Sequence, residues 1–352
     1  MLNGSFWFIY LYDVSEEIDL EKLRAQPAGR EPAFRQPAPD YVRFEKTPVV
    51  QPCESVDLPS GERLRGQIAY YDYGVVSVQL ERPFQFEWSD LVQFSSRSIA
   101  SPEIEAAVLA RVKPAVDRIR HALVKPYENW LTEDYYVVRL QPSPAVSAAQ
   151  LVEQRGTEIA QIVRGESLPL ADDERKEVLQ ASMSYYPNDL LVAGWTAALV
   201  YDTAEGAAPT LQLLEYANTQ LLEFRHYDDL LTHRLAEVYA RLEQGTGMFR
   251  RWRLAREAEN LNAIRLDVRE LTERAENAIK FLSDMFAARL YRLAESKVGV
   301  PDYRKLVDEK MRVAGELYQF MNDRFHQASA LTLETMVVII LIIDLIFLFK
   351  GK

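Results

Sequence analysis

The chain has 352 residues, 52 Asp and Glu against 41 Lys and Arg for a net charge of −11, and one cysteine, Cys53. That length holds two domains, or one domain with a long helical extension, around a sizeable core. The acidic balance argues against a body that coats nucleic acid through phosphates, although a local basic patch stays compatible with it, and a lone cysteine excludes an internal disulfide, a thiolate metal cluster and a CxxC redox pair.

Up to about Asp202 the sequence alternates β-rich with helical runs, and beyond it the pattern is almost purely helical. The predicted class is therefore α+β: an N-terminal α/β head (residues 1–205), a long antiparallel helical stalk (206–329) and one C-terminal transmembrane helix (330–350). Phe6 to Tyr12 is apolar and aromatic without a basic lead or cleavage site, and reads as a buried strand instead of a signal peptide. The acidic first turn from Ser15 predicts a helix, and the prolines at 27, 32, 37 and 39 predict a loop. Strands are expected at Val42 to Val50, Arg65 to Tyr71 and Gly74 to Leu80, then a helix over Pro102 to Leu123 that Pro114 should kink or split.

A second strand and helix follow at Tyr135 to Leu140 and Ser147 to Val163, then a hairpin over Ala181 to Tyr186 and Leu190 to Tyr201. Tyr70-Tyr71 before Val75 and Tyr185-Tyr186 before Leu191 make this either duplicated β-α-β-β units or chance similarity between two hairpins. Three stalk helices are expected, about Pro209 to Gln244, Met248 to Ser296 and Asp302 onward, with corners at Gly245-Thr246-Gly247 and Gly299-Val300-Pro301.

The run from Ala330 to Phe349, including Leu333, Met336, Ile340, Asp344 and Phe347, is expected to span a bilayer, since twenty residues at ~1.5 Å rise reach about 30 Å. Lys350 and Lys352 follow it and Arg324 and His326 precede it, so cations bracket the segment. This implies a tail-anchored, single-pass protein with its body in the cytoplasm or an organellar equivalent. Asp344 and Glu334 point within about a quarter-turn of each other and mark either a contact between subunits or the wetter side of the helix.

No Walker loop, GxGxxG after a strand, nucleophile elbow or HExxH occurs, so neither an enzyme nor a cofactor is expected. The densest polar constellation is Glu223, Arg225, His226, Asp228, Asp229 and His233. It could build a metal or acid/base site only if carboxylate and imidazole converged, and a solvated face or interhelical salt-bridge network is the favoured reading. Arg250, Arg251, Arg253 and Arg256, interleaved with Phe249 and Trp252, could grip phosphates of RNA or anionic lipid, or be ordinary surface arginines at a corner.

Phe320-Met321-Asn322-Asp323-Arg324 followed by Leu333-Glu334-Thr335-Met336 and an apolar stretch to Asp344 resembles the C-terminus of the required-for-meiotic-nuclear-division (YagE-like) family. That resemblance covers about thirty residues and implies an α/β head, following helices and a membrane-bound scaffold or tether supporting translation, without catalytic residues to carry over. Met321-Asn322 before a span also resembles CorA-type magnesium channels, but the Gly-Met-Asn signature and second span are absent. The expected function is a membrane-anchored, self-associating scaffold presenting its head to a protein or ribonucleoprotein partner; the alternative is an oligomeric ion-conducting or ion-sensing assembly using Asp344.

Overall fold

The computed structural model describes residues 1–25, 46–58, 61–243, 256, 259–270, 273 and 284–350, and within these it leaves the side chains of Glu54, 241–243, 324–333, 344 and 347–350 undescribed. The chain divides into two compact units, Met1–His226 with Arg274–Tyr303, and Tyr227–Glu273 with Arg304–Lys352.

The first unit is built on an eight-stranded mixed sheet. Its strands are β1 (Leu2–Ile18), β2 (Val49–Asp57), β3 (Arg63–Tyr70), β4 (Val75–Phe86), β5 (Leu123–Leu140), β6 (Ser182–Met183), β7 (Leu190–Ala193) and β8 (Ala197–Tyr201). Their spatial order is β2-β3-β4-β1-β5-β8-β7-β6. From the centre outwards the two halves repeat one order, a long inner strand and then a three-strand antiparallel run, yet β1 meets β4 antiparallel while β5 meets β8 parallel. The helices are α1 (Leu20–Arg24), α2 (Trp88–Ser98), α3 (Pro102–Arg118), α4 (Ala148–Arg164), α5 (Asp172–Gln180), α6 (Ala204–Glu243), α7 (Met285–Val298) and α8 (Val300–Lys350).

The middle of β1 is buried on both faces. Phe6, Phe8, Tyr10 and Tyr12 point into the main core with residues of α2, α3 and α4, whereas Ile9, Leu11 and Asp13 point to the opposite face and are equally buried. That second face is covered by α6, whose Thr219 hydroxyl lies 2.8 Å from the Tyr73 hydroxyl. Residues Leu213 to Phe224 of α6 are buried without a break, because α7 closes its other side through Tyr291, whose ring centroid is 5.7 Å from that of Tyr216.

Several elements depart from the sequence expectations for local reasons. The helix expected from Ser15 is strand instead, because Ser15, Glu17 and Ile18 keep pairing with Pro126, Val124 and Leu123; the helix begins only after Asp19, whose carboxylate accepts from the Lys22 amide at 3.2 Å. Pro114 sits inside α3 without splitting it. Helices α2 and α5 had no counterpart in the sequence reading. The proline-rich loop, apart from Ala25, and the start of the strand at Val42 lie outside the described residues, as do the corner at Gly245-Thr246-Gly247 and, within the second stalk helix, residues 248–255, 257–258, 271–272 and 274–283. The corner at Gly299 is found: α7 starts on the Asp284 carboxylate, 2.6 Å from the Phe286 amide, and ends at Gly299 with φ +91, a left-handed conformation that favours glycine.

In the second unit Leu235 and Val238 of α6 pack with Leu261 of the helical segment 259–270 and with Ala314, Leu317 and Met321 of α8. Lys310 of α8 ties to α6 through the Asp228 carboxylate at 2.6 Å and the Thr232 hydroxyl at 2.5 Å.

The expected transmembrane helix is overturned. Among the described residues no helix is long and apolar enough to cross a membrane. Leu333, Met336, Ile340, Asp344 and Phe347 are part of α8, a 51-residue helix whose earlier turns are rich in charge. The tail anchor, the membrane as partner, and the single-pass placement with a cytoplasmic body fall with that span. Of the five residues, Met336 and Ile340 are each 56% exposed, and the side chains of Leu333, Asp344 and Phe347 lie outside the described residues.

Candidate functional site

The polar constellation of α6 is distributed over the two units. In the first unit, Asp13 and His226 meet: the imidazole Nδ1 lies 2.7 Å from the Asp13 carboxylate. The irregularity that shapes this place is in the β1–β5 ladder. Asp13 pairs with Leu131 but Ser15 pairs with Pro126, so β5 carries three extra residues here. A bulge of this kind redirects side chains. Tyr127, in the bulge, stacks on the His226 ring with centroids 4.9 Å apart and planes 20° from parallel, while Trp130 meets Tyr12 edge-on at 6.0 Å. Lys125, at the start of the bulge, has φ +48 and reaches Glu16 at 2.5 Å.

One residue before His226, Arg225 pairs with Glu133 of β5 and donates to the Thr132 carbonyl at 3.4 Å. Towards the start of α6 the same side continues in Glu223, Thr219 and Glu215, at helical spacing from His226, and all three are buried. A row of buried polar groups thus faces the sheet, with the Tyr73–Thr219 and Asp13–His226 contacts fixing its direction.

Burial pushes the Asp13 carboxyl above its ordinary pKa, an effect that the hydrogen bond and charge of His226 oppose without cancelling. A carboxylate fixed on Nδ1 sets the imidazole tautomer, and a partly exposed ring held this way has the construction of a proton-transfer pair. Its other contacts are ties between helix and sheet, and those are what the geometry supplies most directly.

In the second unit, Asp228 is engaged by Lys310. Asp229 and His233 form an exposed pair one turn apart, 3.4 Å from each other. Among the described residues, no group of three or more His, Cys, Asp or Glu is placed to hold a metal ion. Arg250, Arg251 and Arg253 lie outside the described residues, and Arg256 is exposed on a helical turn.

Sequence reasoning missed Asp13, Tyr127, Glu133 and Lys310, the partners that give the α6 cluster its geometry. Only Asp13 left a signal: an acid inside the aromatic run Phe6 to Val14 must be buried, and a buried acid needs a partner. The others lie 78 to 99 positions from the α6 residues they meet, distances no local pattern spans.

The second feature is an apolar surface on α8. Met336 to Ile343, Leu345 and Ile346 are each 46–61% exposed, on every side of the helix.

The model of the family described as "Uncharacterized protein MJ0711, N-terminal domain" matches residues 3–208, from β1 to the first turn of α6. The chain is 20% identical over 196 residues to "Uncharacterized protein MJ0711" of Methanocaldococcus jannaschii, covering 55% of this chain and 60% of that protein. The chain thus aligns with about 60% of the length of the curated relative it matches. No solved structure matches. These matches overturn the resemblance to the YagE-like family, which rested on some thirty C-terminal residues, whereas the family match runs through the whole sheet.

Proposed function

The chain belongs to the MJ0711 N-terminal-domain family, and from that premise we propose that it is a self-associating scaffold, joined through the end of α8 and presenting its sheet domain to a protein partner. The observation that carries this reading is the run of ten large aliphatic and Met side chains on α8, each about half exposed. Monomeric proteins in water seldom leave such a continuous apolar surface uncovered. Burying the remaining area is worth on the order of 1 kcal/mol per side chain, and association costs roughly 4–15 kcal/mol. A contact on one side of the helix therefore gains too little, and covering all sides calls for a bundle of like helices. The same segment from other copies is self-complementary and supplies one.

In this reading the sheet unit, Met1–His226 with Arg274–Tyr303, carries the partner surface, and the helices of the second unit before Met336 act as a spacer. The matching strand order of the two sheet halves supports a duplicated origin of the head. Ion conduction has no observation in its favour, since it required Asp344 inside a spanning helix.

Sedimentation equilibrium of the full chain in detergent-free buffer tests the proposal. The expected mass is a multiple of 40.5 kDa, returning to the monomer when Ile339 and Ile343 are both replaced by Glu. A parent chain that is monomeric at micromolar concentration, or that leaves solution only when phospholipid vesicles are added, overturns it.

A further inference from the structure

An open groove of about 670 Å3 lies where α2 packs against α4, a volume within the range that takes small molecules. Its shape follows from a break in α4. Arg155 leaves helical geometry (φ −131, ψ 16), and the helix restarts at Gly156. A side chain at Gly156 would come within 2.9 Å of Leu179, so glycine lets α5 close on this point. The restarted turn places Arg155, Thr157 and Glu158 along the groove, opposite Trp88 and Ser89.

Four features define what would fit. Trp88 offers an aromatic wall; the Arg155 guanidinium lies over its ring, 5.7 Å from the centroid, so a ring stacking on Trp88 takes the place of that guanidinium and meets it at its edge. Arg155 and Glu158 are paired at 2.9 Å, so these two opposite charges offset each other. Thr157 accepts from Arg175 at 3.3 Å, which leaves its hydroxyl proton to donate. Gln161, only 6% exposed, donates from Nε2 to the Ser167 carbonyl at 3.0 Å, which fixes the carboxamide and leaves Oε1 to accept.

We propose that this groove binds a flat, uncharged heteroaromatic ring of nucleoside size, stacked on Trp88, with Thr157 and Arg155 donating to its acceptors and Gln161 Oε1 accepting from its N–H. Stacking supplies affinity that tolerates different bases, and the oriented carboxamide supplies preference among them. Because Arg155 is already neutralised by Glu158, a phosphate adds nothing.

Isothermal titration of the full chain with adenosine, guanosine, cytidine, uridine and AMP tests this. At least one nucleoside should bind saturably, and AMP should bind no tighter than adenosine. Trp88→Ala should weaken binding about tenfold or more, and Gln161→Leu should narrow the differences among the four nucleosides. Trp88 also touches the core, so Ser89→Trp, which fills the groove from an exposed position, is the second variant: it should abolish binding while the circular dichroism spectrum is unchanged. Absence of saturable binding for all four nucleosides, binding indifferent to Ser89→Trp, or AMP binding tenfold tighter than adenosine overturns the proposal.

Discussion

Asp13, in the middle of a strand and 2% exposed, is held at 2.7 Å by His226, 213 positions further along the chain. An uncompensated carboxylate there would be costly, and the imidazole offsets only part of that cost, so its carboxyl pKa lies above the ordinary value of 3.8. The pair is thus a fastening of α6 to the sheet that depends on proton occupancy.

A carboxyl with a raised folded pKa gives stability that is fully present below its unfolded pKa and is lost as pH rises through the folded one. Asp13→Asn keeps an acceptor for His226 Nδ1 and removes the buried charge. The stability of the wild type relative to Asp13→Asn should therefore fall as pH rises from about 4, measured by urea unfolding across the acid to neutral range. Asp13→Ala, which leaves the imidazole without its acceptor, should be destabilised by about 1–3 kcal/mol at neutral pH. Equal pH dependence in wild type and Asp13→Asn would contradict this account.

Gly74 closes the β3–β4 turn at φ +92, and a Cβ there would meet the Ser15 carbonyl oxygen of β1. Both the conformation and the space forbid a side chain. Gly74→Ala should cost at least about 2 kcal/mol, seen as a lower urea midpoint with an unchanged slope. An unchanged midpoint would mean that the turn relaxes without consequence.

Lys310 holds α8 to α6 through Asp228 and Thr232 in a half-buried position. A double-mutant cycle of Lys310→Met and Asp228→Asn should return a coupling of about 1 kcal/mol, larger than a surface pair gives. Coupling near zero would reduce this contact to an incidental one.

Burial raises the ionisation of Tyr70 to about 12 and that of Tyr10, Tyr12, Tyr135 and Tyr136 beyond it. Because the unfolded phenols lose their protons first, near 10, stability contributed by the protonated fold should decline as pH rises above that value. Absorbance titration should show these five phenols ionising only together with alkaline unfolding. Their gradual ionisation in the folded chain would contradict the burial.

The sheet strands were readable where side-chain chemistry alone sufficed. The apolar, aromatic run Phe6 to Tyr12 became the middle of β1, and Arg65 to Tyr71 with Gly74 to Leu80 became the β3–β4 hairpin, because β-branched and aromatic residues suit a surface packed on its faces. The helix expected at Ser15 failed because pairing with β5 outweighed a local capping signal. The polar cluster was half legible: its members on α6 stand close together in sequence, but Asp13, Tyr127 and Glu133 reach them only through the sheet.

The sequence by itself determined the acidic balance, the lone cysteine, the β-rich first part and the helices after it, since these depend on composition and on periods of two and 3.6 residues. Only the tertiary structure decided the strand order, the bulge that turns Tyr127 onto His226, and the break at Arg155 that opens a groove beside Trp88. Each of these depends on which distant segments meet, and that is set by the packing of both sheet faces at once, a property no stretch of chain carries alone.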